Sequence, residues 1–213
     1  MIKVAPSILA ADPINLEKDV CRAVKAGCDW IHVDVMDAHF VPNLAYTPEV
    51  VHALHEHFSI PLDVHLMMTN PETLADRFLD AGASVLTIHA EADTDVAALL
   101  RHIRTRGAKA GVALRPHTPL STVEPLLNLA DLVLTMTVEP GFGGQHLDIS
   151  VLDKIRDLRR SGYPGIIEAD GGIRQNNLAL LKEAGLDAAV LGTALFHQAD
   201  LTAAVVSLRE VCA

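Results

Sequence analysis

The feature that most constrains this chain is a rhythm. Short apolar, β-branched runs alternate with amphipathic stretches eight times in 213 residues, about one unit every 27 residues. The runs are nearly continuous in hydrophobic residues, as parallel strands covered on both faces require. The spacing predicts strands over 3–9, 30–36, 60–67, 84–89, 109–114, 132–138, 165–170 and 188–191. Between and after them it predicts helices from Asp12-Pro13 to Ala26, over 48–57, from Asn70-Pro71-Glu72 to near Gly82, over 94–106, from Thr118-Pro119 to Leu129, over 149–160, to Ala184, and over 201–211. The starts rest on Asp, Asn or Thr before Pro, and the stops on Gly27, Gly82 and Gly107. An open doubly wound sheet could use the same elements. Eight regular units without a compositional break favour a closed (β/α)8 barrel, an α/β fold forming one domain over residues 1–213.

Composition excludes several classes. No apolar run approaches the ~18 residues of a membrane span, and the N-terminus lacks signal-peptide architecture. A formal net charge of −10 without a basic cluster argues against nucleic acid and anionic membranes. Cys21, Cys28 and Cys212 form no CxxC and leave an odd count, which fits a reducing, cytoplasmic setting.

In such a barrel the chemistry gathers at the C-terminal ends of the strands. Side chains two apart on a strand share a face, so His32, Asp34 and Met36 point together. Alone, His32 and Asp34 are equally consistent with a structural hydrogen bond. Ser7 ends the first strand, His65 and Met67 the third, Met136 the sixth and Asp170 the seventh, whereas the other strand ends are poorer in polar residues. His32, Asp34, His65 and Asp170 are two imidazoles and two carboxylates, a set that suits a divalent transition metal such as Zn, Fe(II), Mn or Co. A satisfied core histidine is the bland alternative for His65.

Glycines form a second group: Gly141, Gly143 and Gly144 around Phe142, then Gly171-Gly172, and Gly192 before Thr193. Glycine lets backbone N–H groups approach an anion, and loops after the last two barrel strands are a usual phosphate site. Turn glycines are the alternative for any one pair. Met36, Met67 and Met136 are either core packing or an apolar lid over reacting carbons.

Read together, the segments Ala5-Pro6-Ser7-Ile8-Leu9, His32-Val33-Asp34-Val35-Met36-Asp37, His39-Phe40-Val41-Pro42-Asn43, Asp63-Val64-His65-Leu66-Met67, Pro140-Gly141-Phe142-Gly143-Gly144-Gln145 and Asp170-Gly171-Gly172-Ile173 resemble the ribulose-phosphate 3-epimerase family in order and across nearly the whole chain. The resemblance implies interconversion of D-ribulose 5-phosphate and D-xylulose 5-phosphate. It implies metal ligands His32, Asp34, His65 and Asp170, with Asp34 and Asp170 as the acid–base pair. It further implies that Ser7 and His65 contact substrate, that the glycine loops and Thr193 hold phosphate, and that the three methionines cover the intermediate. A homo-oligomer is also implied. Inverting a carbon beside a carbonyl needs proton transfer on both faces, which two carboxylates on separate strands can supply.

Ala38 stands where the family usually has Gly, Tyr46-Thr47-Pro48 replaces Phe-Gly-Pro, Glu139 stands where Asn is common, and Ala169 where Val is common. Ala38, Thr47 and Glu139 flank the catalytic end, so an allulose 6-phosphate 3-epimerase is the rival enzyme. A non-catalytic phosphosugar-binding barrel is the rival outside enzymes.

Overall fold

The computed structural model describes residues 1–212. Ala213, the last residue of the expected 1–213 domain, lies outside the described residues. The elements in chain order are β1 (Lys3–Pro6), α1 (Leu16–Lys25), β2 (Ile31–Asp37), β3 (Leu44–Ala45), α2 (Pro48–His57), β4 (Leu62–Met67), α3 (Ala75–Asp80), β5 (Val85–His89), α4 (Val96–Thr105), β6 (Lys109–Leu114), β7 (Leu132–Met136), α5 (Leu152–Arg160), β8 (Ile166–Asp170), α6 (Gln175–Ala184), β9 (Ala188–Leu191), α7 (Thr193–Phe196) and α8 (Leu201–Cys212).

The strands pair in the order β1-β9-β8-β7-β6-β5-β4-β2-β3, all parallel except the short β3 against β2. The two ends of the parallel run, β1 and β2, meet through a parallel bridge between Ser7 and His32. Asp29 N–H also donates to the Val4 carbonyl at 2.9 Å. The sheet therefore closes on itself, and the open doubly wound alternative is excluded. No helix among the described residues is long and apolar enough to cross a membrane.

Alternation along the strands separates two apolar layers. Outward residues such as Val4, Ile31, Val33, Val35, Leu62, Val64 and Leu66 pack under helix residues including Val20, Val51, Leu100, Ile155 and Leu178. A smaller cluster of Ala5, Trp30, Val85, Ala113, Leu132, Leu134, Met136, Ala188 and Val190 fills part of the barrel interior. Space there is tight: a Cβ on Gly111 would fall 2.1 Å from the Thr87 hydroxyl oxygen.

Several expected boundaries need correction. β1 stops at Pro6, because the Ser7 side chain accepts from Leu9 N–H and starts a 3₁₀ turn over Ile8–Ala10. Asp12 does not open α1. Its Oδ1 accepts from Ile14 N–H in a local turn, and the helix starts at Leu16. The stretch after Asn70 forms a 3₁₀ turn, Pro71–Thr73, before a short α3. No α-helix covers 118–129; two 3₁₀ turns, Leu120–Thr122 and Glu124–Leu126, stand in its place. Pro125 explains this, since it has no N–H to donate and its ring crowds the preceding turn. β3 and α7 had no counterpart in the sequence pattern.

Candidate active site and metal centre

β2 and β4 build the centre of the site by register. His32 lies opposite Asp63, Asp34 opposite His65, and Met36 opposite Met67, so all six side chains project into the barrel. All six are buried. His32 Nε2 and His65 Nδ1 each lie 3.4 Å from Asp34 Oδ1. Neither nitrogen has a hydrogen-bond partner, although both are buried. Two orphaned imidazole nitrogens around one carboxylate oxygen are costly without a cation between them. The 3.4 Å spacing is the edge of a tetrahedron whose arms are about 2.1 Å, the length of a zinc–nitrogen bond. From β8, Asp170 completes a group of four whose donor atoms all lie within 4.8 Å of one another. These residues fit a divalent metal ion.

The other oxygen of Asp34, Oδ2, accepts from the Ser7 hydroxyl at 2.6 Å. His32 is held from behind, with Nδ1 2.6 Å from Asp63 Oδ2. Glu168, two residues before Asp170 and on the same face, is fully buried and approaches His32 and Asp63. Burial, reinforced by the Asp63 charge, pushes the Glu168 carboxyl well above the usual carboxylate range.

The two catalytic candidates titrate apart. Burial raises Asp34, but the His32 and His65 imidazoles overcome it and hold the carboxyl far below its ordinary value. Burial and the neighbouring Asp34 charge push Asp170 up to about 7. In the metal-free cluster their environments thus push the two carboxyls in opposite directions.

Above this pair opens a cavity of about 390 Å³. Its lining includes Ser7, Asp34, Met36, Met67, Met136, Gly141, Phe142, Gly143, Gly144, Asp170, Gly171, Gly172, Gly192 and Thr193. His32 and His65 are absent from that wall, and both are fully buried. Behind Asp34, His65 faces the cluster and not the cavity. Leu9, Glu139, Arg174 and His197 also line it. Phe142 is half exposed at the rim.

The glycine loops meet by backbone contact. Gly172 has φ +64°, and a Cβ there would lie 2.3 Å from Leu147 N. The Gln145 side chain donates to the Glu139 and Phe142 carbonyls at 2.8 Å each. Asn43 reaches from the loop after β2 and donates to the Gly141 carbonyl at 2.8 Å. That loop begins with Ala38 at φ +61°, a left-handed conformation that glycine adopts more readily.

The sequence pattern missed part of the polar interior. The expectation that the other strand ends are poorer in polar groups fails at β5, where His89 is fully buried and sits 2.9 Å from His65. Asp63 and Glu168 each lie two residues before an expected ligand, so alternation alone could have found them. Glu91 and Arg115 lie in loops and had no such signal.

A closed parallel barrel with a His/Asp cluster at its C-terminal mouth, beneath glycine loops, defines a (β/α)8 enzyme with a metal-type centre. The profile of the Ribulose-phosphate 3 epimerase family matches residues 3–196. Over 98% of its length the chain is 44% identical to ribulose-phosphate 3-epimerase of Bacillus subtilis, covering 99% of that protein. It is 45% identical to the enzyme of that name from Mycobacterium leprae, covering 97% of this chain and 93% of that one. For the one from Escherichia coli K12 the figures are 41%, 97% and 94%. The chain belongs to the ribulose-phosphate 3-epimerase family. The fold alone is shared with more distant barrels. 3-Keto-L-gulonate-6-phosphate decarboxylase from Vibrio cholerae has TM-score 0.78 and 17% identity, covering 99% of this chain and 96% of that one. 3-Hexulose-6-phosphate synthase from Salmonella typhimurium has TM-score 0.74 and 18% identity, covering 99% and 98%.

Proposed function

We propose that this chain epimerises D-ribulose 5-phosphate at C3 to D-xylulose 5-phosphate by two-base proton transfer between Asp34 and Asp170. The observation that carries the mechanism is geometric: Asp34 and Asp170, on separate strands, bring carboxylate oxygens within 4.8 Å of each other, and both line a single cavity. The substrate follows from the family and from relatives at 41–45% identity that bear this name. Those names favour the pentulose phosphate over the hexulose phosphate that Glu139 alone would suggest.

In one direction Asp34 takes the C3 proton and protonated Asp170 delivers one to the opposite face; the roles exchange in reverse. Ser7 orients Asp34 through its 2.6 Å hydrogen bond and leaves the second oxygen facing the histidines. His32, Asp34, His65 and Asp170 would hold a divalent transition metal, and the positive charge it supplies when bound offsets that of the developing enediolate. The loops around Gly143, Gly171 and Gly192 would bind the phosphate mainly through backbone N–H groups. Met36, Met67 and Met136 would shield the reacting carbons from water. A single domain, a homo-oligomeric assembly and a cytoplasmic setting belong to the same proposal.

The test is C3 solvent-deuterium exchange alongside a coupled epimerisation assay. The proposal expects both activities to fail in Asp34→Asn. Undiminished exchange and turnover in that variant sink the two-base reading. Comparing kcat/KM on ribulose 5-phosphate and allulose 6-phosphate tests the sugar, and a preference for the six-carbon substrate would overturn that assignment.

A further inference from the structure

His65 is supported differently from His32. Asp63 reaches His32 directly, but no carboxylate touches the far nitrogen of His65. There, His65 Nε2 meets His89 Nε2 at 2.9 Å. The other nitrogen of His89, Nδ1, lies 3.0 Å from Glu91 Oε2. Glu91 Oε1 accepts from Arg115 N–H at 2.8 Å and from the Thr118 hydroxyl. The His89 ring is clamped: Phe40 packs on it with centroids 4.6 Å apart, and the Arg115 guanidinium lies 4.3 Å above the Phe40 ring.

With both imidazoles neutral, counting protons along this row leaves one arrangement. Burial raises the Glu91 carboxyl, but bonds from His89, Arg115 and Thr118 prevail and lower it to about 2, so it is an ionised acceptor. His89 Nδ1 must then carry a hydrogen, because a bare nitrogen facing a carboxylate at 3.0 Å would be repelled. A neutral imidazole has one N–H, which leaves His89 Nε2 bare and able to accept. His65 Nε2 therefore carries the hydrogen between the two rings. His65 Nδ1 is left bare, and it is the nitrogen that faces Asp34 Oδ1 without a hydrogen-bond partner.

We infer that Glu91, acting through His89, is a positioning residue that fixes the tautomer of His65 and keeps its Nδ1 lone pair aimed at the divalent cation. This rests on the metal reading of the four-residue cluster. Groups that orient a ligand histidine are usually in direct contact with it. Here the control is passed through a second imidazole to a half-buried carboxylate in the loop after β5. The same carboxylate is bonded to the loop after β6, and Arg115 there also donates to the Phe40 carbonyl at 3.0 Å. The tautomer of one ligand is thus tied to three loops at the barrel mouth.

The test begins with metal-free parent protein and ¹⁵N-histidine NMR, which distinguishes the two tautomers of each ring. The inference expects His65 as the Nε2–H form; an Nδ1–H form overturns it whether or not any variant folds. Next, Zn²⁺ affinity is measured by competition with a chromophoric chelator for the parent, Glu91→Gln, Glu49→Gln and His65→Ala. Glu49 is an exposed surface partner of Arg77, so Glu49→Gln controls for lost charge. Glu91→Gln should mix the His65 tautomers and weaken Zn²⁺ by about 10–100-fold, while Glu49→Gln stays within about twofold. Zn²⁺ binding lost in His65→Ala but unchanged in Glu91→Gln overturns this inference alone. Undiminished binding in His65→Ala overturns the metal reading beneath it.

Discussion

The inside of the barrel carries two unlike sets of side chains, a polar and an apolar wall, which interleave because β8 of the polar set stands between β7 and β9 of the apolar one. On β2, β4, β5 and β8 it carries His32, Asp34, Asp63, His65, Thr87, His89 and Glu168, all buried, with Asp170 above them. On β1, β6, β7 and β9 it carries Ala5, Ala113, Leu132, Leu134, Met136, Ala188 and Val190. Both walls have the same alternation and the same hydrogen-bonded backbone. Only one of them repays burial with transfer free energy. The other is affordable to the fold through paired protons, and by the charge of an ion that the orphaned nitrogens await. The apolar wall should therefore set how stable the protein is, and the polar wall what it can do.

The sharpest way to break this division is at the paired carboxyls. Asp34→Asn and Asp170→Asn should each lower kcat/KM by about 10³-fold or more. Stopped-time assays on ribulose 5-phosphate check this, and a loss under tenfold in both would erase the distinction. Chelation of the parent protein should cost at least ~100-fold in rate, recovered on adding Zn²⁺, Mn²⁺ or Co²⁺. Within the apolar set, Leu134→Ala should cost about 2–4 kcal/mol in urea unfolding yet leave Zn²⁺ affinity within about threefold. A large affinity change there would mean that the walls are coupled.

A subtler contrast uses pH on metal-free protein. Folding lowers Glu91 from 4.5 to about 2. Its contribution is thus complete above pH 4.5 and is lost as pH falls toward 2, and is on the order of 3 kcal/mol at most. Glu91→Gln should flatten the acid-unfolding slope across that window. An unchanged slope would show that the relay is not held by charge. The smallest effect is expected at Ala38. Relief of its left-handed strain, less the extra freedom of glycine in the unfolded chain, should make Ala38→Gly more stable by about 0.5 kcal/mol.

Period-two alternation made most of the polar wall readable in the sequence. Once His32 and Asp34 were placed on one strand, His65 and Asp170 followed from the barrel. Asp63 and Glu168 obeyed the same rule, but as acids deep in an apolar run they offered no chemistry of their own to draw attention. His89 was hidden differently. It ends an ordinary apolar strand, and only the pairing of β4 with β5 brings it against His65. Glu91 and Arg115 lie beyond strand ends, where no periodicity operates. The 118–129 helix failed for a local reason, since Thr118-Pro119 is a sound start signal that Pro125 cancels six residues later.

The joint between β1 and β2 has a consequence for the molecule's breathing. Every other parallel neighbour in the barrel shares a ladder, whereas this pair shares the Ser7–His32 bridge and a few bonds around Val4 and Asp29. Amides flanking that joint should exchange with solvent sooner than those of β6 and β7. Ser7 and His32 are the residues that bridge it. An ion held by His32 together with His65 of β4 and Asp170 of β8 would tie β2 to β8 across that joint. Loading the site would then be an act of closure as well as of chemistry, visible as slowed exchange along the first two strands.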